Sequence, residues 1–91
     1  MIMKKSVILN IYGKVQNVGF RYQTKKKADL LQITGFVKNM HDGSVYVEAE
    51  GEENDLILFI QWCYSGPFWA KVEKVKQQSA PIQNFESFIV K

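Results

Sequence analysis

Residues 13–21 read Gly13-Lys14-Val15-Gln16-Asn17-Val18-Gly19-Phe20-Arg21. A strand-like run, Ser6 to Tyr12, precedes this stretch, and a helix-like run, Tyr22 to Gln32, follows it. A loop at a helix N-terminus directs backbone N–H groups at one point, where the helix dipole favours an anion. Arg21 adds a planar guanidinium that fits phosphate oxygens. The pattern indicates a phosphate cradle, but these residue types also fit an ordinary strand–loop–helix connection with a solvated arginine.

The composition is that of a small globular domain. The chain has 91 residues, of which 46% are hydrophobic and 13% aromatic, and this is enough for a core. We therefore expect a single domain over residues 1–91. The net charge of +3 favours anionic ligands only weakly and is far below that of a dedicated nucleic-acid binder.

Cysteine and histidine are too scarce for a disulfide or a metal cluster. The chain has one of each, Cys63 and His41, so we predict no metal site and a reducing, cytoplasmic setting. The apolar run Val7 to Leu9 is broken at once by Asn10. That pattern predicts neither a signal-peptide core nor a membrane span.

The rest of the chain alternates between strand and helix patterns. A short strand, Phe36 to Met40, and an alternating strand that Gly51 stops flank the turn residues 41–43, which predicts a hairpin. A second helix is expected to start at Asn54-Asp55 and to end at Gly66-Pro67. Its apolar stripe is Leu56, Phe59, Ile60 and Cys63, which makes Cys63 a core residue.

Two further strands are expected after the second helix. In the first, Ala70 to Gln78, Val72 and Val75 are out of phase for a period of two, and a bulge is one explanation. The last strand is expected over Phe85 to Val90. The whole order predicts an α+β, ferredoxin-like split β-α-β sandwich, with two helices on one face of an antiparallel or mixed sheet of four to five strands.

Three blocks of the sequence resemble the acylphosphatase family. Residues 13–21 are similar to the family signature Gly-x-Val-Gln-Gly-Val-x-Phe-Arg. Residues 35–39 and 42–45 are similar to Gly-Trp-Val-x-Asn followed by Asp-Gly-x-Val. Gly66-Pro67 with Ala70-Lys71-Val72 is similar to a third block, and the order and spacing of all three agree with the family.

The resemblance implies hydrolysis of the carboxyl–phosphate bond of small acyl phosphates, with inorganic phosphate as a product. It implies no metal or organic cofactor, and with it we expect a monomer that binds neither nucleic acid nor membrane. The family's catalytic Arg and Asn fall on Arg21 and Asn39. Its phosphate-binding loop amides fall on Gln16, Asn17, Val18, Gly19 and Phe20.

The chain departs from the family pattern at three positions. Asn17 and Gln32 stand where glycine is usual, so each is a candidate for a left-handed backbone, which Asn tolerates better than Gln. Phe36 stands where tryptophan is usual. His41 lies close to Asn39 in sequence, but the pattern needs no histidine there and predicts a surface turn residue.

Two other functions fit the same fold. One is an acylphosphatase-like domain that binds without hydrolysis or serves as a module of a larger assembly. The other is an RNA-binding domain, whose open sheet face would present Tyr12 and Tyr46 on the first and third strands. Glu48 and Glu50 beside Tyr46 would repel a phosphate backbone.

Overall fold

The computed structural model describes residues 3–91 and has the predicted order of elements. They are β1 (Lys4–Lys14), α1 (Phe20–Leu30), β2 (Thr34–Asn39), β3 (Val45–Glu52), α2 (Glu53–Ser65), β4 (Lys71–Ser79) and β5 (Phe88–Val90). The strands form one sheet in the order β4-β1-β3-β2-β5. All neighbours are antiparallel except β5, which runs parallel to β2. The α+β, ferredoxin-like prediction is therefore confirmed, with a mixed sheet of five strands.

The core lies between one face of the sheet and the two helices. Alternate residues of the central strands are buried there: Val7, Leu9, Ile11, Val45, Val47 and Ala49. Phe20, Thr24 and Ala28 of α1 and Leu56, Phe59 and Cys63 of α2 close the other side. Cys63 has no exposed surface, and burial raises the pKa of its thiol. The prediction that Cys63 is a core residue is confirmed.

Strand β4 contains the bulge that explains its irregular pattern. Tyr12 of β1 pairs with Lys74, but the next residue, Gly13, pairs with Val72, so Glu73 is the additional residue. Gly13 has a φ of 129°, and a Cβ there would lie 2.2 Å from the Lys71 carbonyl oxygen. Only glycine fits this close approach of the two strands.

Several predicted boundaries need correction. Helix α1 begins at Phe20 and ends at Leu30, and Gln32 follows it with a φ of 59°, the left-handed conformation considered for it. Strand β3 continues through Gly51 to Glu52. Helix α2 begins at Glu53, before Asn54, because the Glu52 carboxylate caps it.

The last strand is shorter than predicted because the segment before it bonds to a side chain. The backbone N–H groups of Gln83 and Phe85 donate to the carboxylate of Glu50, a buried residue of β3. These bonds hold residues 83–85 across the sheet, so β5 contains only Phe88–Val90. Among residues 3–91, no helix is long and apolar enough to cross a membrane.

Candidate active site

Strand direction brings the three sequence blocks to one end of the sheet. Since β1, β2 and β5 run in the same direction, their C-terminal ends lie together, and β3 and β4 begin at that end. A cleft of about 180 Å³ opens there. Its lining residues are Val15, Asn17, Gly19, Phe20, Arg21, Tyr22, Asn39 and Val90. Of the site residues predicted from the sequence, only Gln16 and Val18 do not line it.

The loop between β1 and α1 turns through two left-handed residues. Asn17 has a φ of 62° and Gly19 a φ of 77°. Asn17 therefore has the backbone conformation considered for it from the sequence, which asparagine tolerates better than most residues. No described backbone carbonyl accepts a hydrogen bond from the N–H groups of residues 16–20. These donors are free to bind a ligand.

The N-terminus of α1 lacks its usual protein partners. Gly19 occupies the cap position without a side-chain hydrogen bond, and the first turn contains no acidic residue. Arg21, also in that turn, adds a positive charge where the helix dipole is already positive. This arrangement becomes favourable when an anion binds between the helix end and the guanidinium.

The end of β5 holds Arg21. Its Nη1 donates to the backbone oxygen of Lys91 at 2.7 Å, and the Lys91 N–H donates to Val37 of β2 at 2.9 Å. Lys25 of α1 also donates from Nζ to the Phe88 carbonyl at 3.0 Å. Sequence reasoning missed this support, because no local pattern shows which strand β5 pairs with.

Asn39 is the last residue of β2 and has an unpartnered amide oxygen. The backbone places Asn39 opposite Val45 of β3. Its Oδ1 is buried and accepts no hydrogen bond from any described residue. A buried acceptor without a partner costs free energy, about 1–3 kcal/mol. A bound water or substrate would remove that cost, so Oδ1 is suited to accept from a small hydroxylic molecule.

The Gln16 side chain joins the loop to the hairpin that follows Asn39. Nε2 donates to the carbonyl oxygens of Met40 at 2.8 Å and Ser44 at 3.0 Å. Gln16 was predicted to contribute only its backbone amide. Its side chain also ties the loop between β1 and α1 to the hairpin after Asn39. The sequence gives no signal for these contacts except that Gln16 belongs to the first block.

The hairpin turn itself is held by local bonds. Asp42 Oδ1 accepts from the Ser44 N–H at 2.9 Å and the Ser44 hydroxyl at 2.5 Å, and these bonds lower the pKa of Asp42. His41 is exposed in the turn, as predicted. Within the part of the chain that the structure describes, no cluster of three His, Cys, Asp or Glu residues could hold a metal ion.

On the open face of the sheet, the aromatic side chains contact other side chains of the same face. Tyr46 donates its hydroxyl to Glu48 at 2.7 Å, and burial together with this bond raises the pKa of Tyr46 to about 12. The ammonium groups of Lys74 and Lys76 lie over the Tyr12 ring, 5.0 and 5.7 Å from its centroid. These contacts do not favour the RNA-binding alternative, which needs free aromatic rings for base stacking.

Comparisons of sequence and of structure both find acylphosphatases. The acylphosphatase family profile matches residues 7–90. An acylphosphatase of Archaeoglobus fulgidus is 49% identical over 92% of this chain and 97% of its own length. One of Photorhabdus laumondii is 40% identical over 99% of both chains. The structure of an acylphosphatase from Coxiella burnetii superposes with a TM-score of 0.93, at 34% identity over 97% of this chain and 93% of that one.

Proposed function

This chain belongs to the acylphosphatase family, and we propose that it hydrolyses small acyl phosphates in the cleft between residues 15–19 and the end of β2. The products are a carboxylate and inorganic phosphate. One observation carries the assignment of the site. Asn39, whose buried Oδ1 has no hydrogen-bond partner among the described residues, shares a cleft with Arg21 and an uncapped helix N-terminus.

The loop and Arg21 bind the phosphoryl group. The free backbone N–H groups of residues 16–20 donate to its oxygens, and the Arg21 guanidinium neutralises part of its charge. The contact with Lys91 limits the rotamers of Arg21 before substrate arrives. The entropy cost of ordering this side chain is therefore met during folding, which favours tight phosphate binding.

Asn39 orients the attacking water. Its Oδ1 accepts a hydrogen bond from the water and directs the oxygen lone pair at phosphorus. An acyl phosphate needs little acid catalysis, because its leaving carboxylate is a weak base. Positioning and charge neutralisation are then sufficient, as in other phosphoryl transfers. The carboxamide does not titrate, so Asn39 positions the water without taking its proton. As the P–O bond to water forms and the bond to the carboxylate breaks, that proton ends on the released phosphate.

The activity is tested by following benzoyl phosphate in the presence of the purified protein, against its spontaneous hydrolysis. We expect rapid, saturable loss of substrate that continues in the presence of a chelator, with inorganic phosphate as a competitive inhibitor. A rate equal to the spontaneous one would contradict the proposed activity and favour the non-catalytic alternative.

Asn39→Ala tests the division of roles between the two halves of the site. We expect kcat to fall about 10²-fold, by analogy with the loss of one preorganised hydrogen-bonding group, while the inhibition constant of inorganic phosphate stays the same. Asn54→Ala is the matched control, because Asn54 is an exposed asparagine at the start of α2. Loss of phosphate binding in Asn39→Ala would show that Asn39 holds the phosphate and not the water.

A further inference from the structure

Two large aromatic side chains project from the segment between α2 and β4. Phe68 is 88% exposed and Trp69 is 72% exposed, and their ring centroids lie 5.0 Å apart in an edge-to-face arrangement. Neither ring belongs to the core. A contiguous exposed apolar surface is a candidate ligand-binding site.

This aromatic segment, residues 66–70, is held at both ends. The Gly66 N–H donates to the Trp62 carbonyl of α2 at 2.7 Å, and the Ala70 N–H donates to Pro67 at 3.0 Å. Phe68 and Trp69 lie within that closed turn. The two rings are thus presented by a defined backbone, which reduces the entropy lost when a ligand binds them.

The start of α1 fixes the aromatic segment beside the phosphate loop. A Cβ at Gly66 would lie 2.5 Å from the Phe20 ring, so the backbone of Gly66 packs directly on it. The Phe20 ring also contacts Trp62, with centroids 5.7 Å apart. Since Phe20 is the first residue of α1, the segment cannot move away from the cleft without breaking this packing.

A groove of about 490 Å³ lies between the aromatic segment and α1. Its lining residues are Val18, Gly19, Gln23, Trp62, Pro67, Phe68 and Trp69. Gly19 lines both this groove and the phosphate cleft. The two spaces therefore meet at the phosphate loop, and none of the residues that line the groove is charged.

The order of the strands places the groove opposite Asn39. Strand β1 lies between β4 and β3, and β2 with Asn39 lies beyond β3. The phosphate loop follows β1, so it has Asn39 on one side and the aromatic segment, which leads into β4, on the other. In an in-line displacement the water and the leaving group lie on opposite sides of phosphorus. With the water at Asn39, the leaving carboxylate points towards the aromatic segment.

We propose that this groove is the acyl-group subsite, and that the enzyme favours acyl phosphates whose acyl group is an aromatic ring. This inference rests on the proposed function. Phe68 and Trp69 contact the acyl ring, and Trp62 and Val18 form the floor beneath it. A ring bound between aromatic side chains gains edge-to-face contacts in addition to the area that it buries.

The test compares benzoyl phosphate with acetyl phosphate in the wild type, Phe68→Ala and Trp69→Ala. Each variant should lower kcat/KM for benzoyl phosphate about 3- to 10-fold, the worth of one aromatic contact. The kcat/KM for acetyl phosphate and the inhibition constant of inorganic phosphate should not change. Leu58→Ala, which truncates a half-exposed apolar residue of α2, is the control. It should leave kcat/KM unchanged for both substrates.

The outcomes separate this inference from the proposed function. If the wild type hydrolyses neither substrate, the proposed function fails. A second outcome is that the wild type hydrolyses both substrates while each variant lowers kcat/KM by the same factor for both, or for neither. The activity then stands, and the assignment of the acyl subsite is wrong. Both rings are exposed, so truncation should leave the fold intact, and a matching unfolding curve checks this.

Discussion

Helix α1 begins at Phe20 behind a glycine that offers no side-chain cap, whereas α2 begins at Glu53 behind a glutamate that caps it. The Glu52 carboxylate accepts from the backbone N–H groups of Asn54 at 3.0 Å and Asp55 at 3.2 Å. Two acidic residues, Glu53 and Asp55, also lie in the first turn of α2. The first turn of α1 has no acidic residue and contains Arg21.

The difference separates a helix end that serves stability from one that, in the proposed function, binds the phosphoryl group. The positive end of α2 is neutralised by carboxylates of its own chain, so it has little to offer an external anion. The positive end of α1 is left open, at some cost to the stability of the free protein. The two helices have the same role in the core, and their first turns distinguish the one proposed to bind phosphate.

The largest effect is expected from Arg21→Ala, which removes the positive side chain from the open helix end. Loss of one charge-assisted hydrogen bond costs about 1.5–3 kcal/mol, so inorganic phosphate should inhibit at least tenfold more weakly and kcat/KM should fall by more. Inhibition kinetics measure the first effect, and initial rates the second. Lys76→Ala, which removes the same charge from the open face of the sheet, is the control. Equal losses in both variants would mean that only net charge matters.

Asn17→Asp should make the N-terminus of α1 resemble that of α2, which carboxylates neutralise. A carboxylate in the cleft would repel a phosphate dianion. Two like unit charges about 4 Å apart repel each other by about 1 kcal/mol even at the dielectric constant of water. We expect phosphate inhibition about tenfold weaker, with the free energy of unfolding unchanged or higher, because an acid near a helix N-terminus stabilises it by about 0.3–1 kcal/mol. Unaltered inhibition would show that Asn17 does not face the phosphate.

Glu52→Ala should affect stability alone. Loss of this cap should lower the free energy of unfolding by about 0.5–2 kcal/mol, measured by urea denaturation, with kcat and KM unchanged. Glu52→Gln keeps an oxygen acceptor and should lose less. A fall in activity without a fall in stability would contradict a purely structural role for the N-terminus of α2.

The smallest effect is expected from Asn17→Gly. Glycine adopts the observed φ of 62° without strain, so the activity should equal or exceed that of the wild type. Steady-state kinetics with benzoyl phosphate measure it, next to Asn17→Asp as the charged variant at the same position. A large loss would show that the Asn17 side chain contributes to binding.

Much of the fold could be predicted because its signals are local. The helix-like run of α1, the apolar stripe of α2, the alternation of β3 and the irregular phase of β4 each depend on residues within one element. Two of the boundary errors occurred where a side chain outside the element decided where that element begins. Glu50 shortened the last strand through Gln83 and Phe85, and the Glu52 side chain moved the start of α2.

For the site, the sequence indicated which residues to examine but not how they are held. The loop pattern pointed to Arg21 and the resemblance added Asn39, and the structure brings both to one cleft. The contacts of Gln16 with the hairpin and of Arg21 with Lys91 span 24 to 70 residues. No periodicity or motif spacing encodes contacts at such separations.

By itself the sequence determined the order of elements, the loop at the start of α1 and the resemblance that points to phosphate chemistry. Periodicity, glycine positions and motif blocks act over a few residues, and this range is enough for those features. The tertiary structure alone decided that β5 runs parallel to β2, that Lys91 contacts Arg21, and that β4 and β2 lie on opposite sides of the β1–β3 pair. The first two relations and the placement of β4 beside β1, on the side away from β2, depend on which strands become neighbours. Packing of the whole sheet against both helices settles that order.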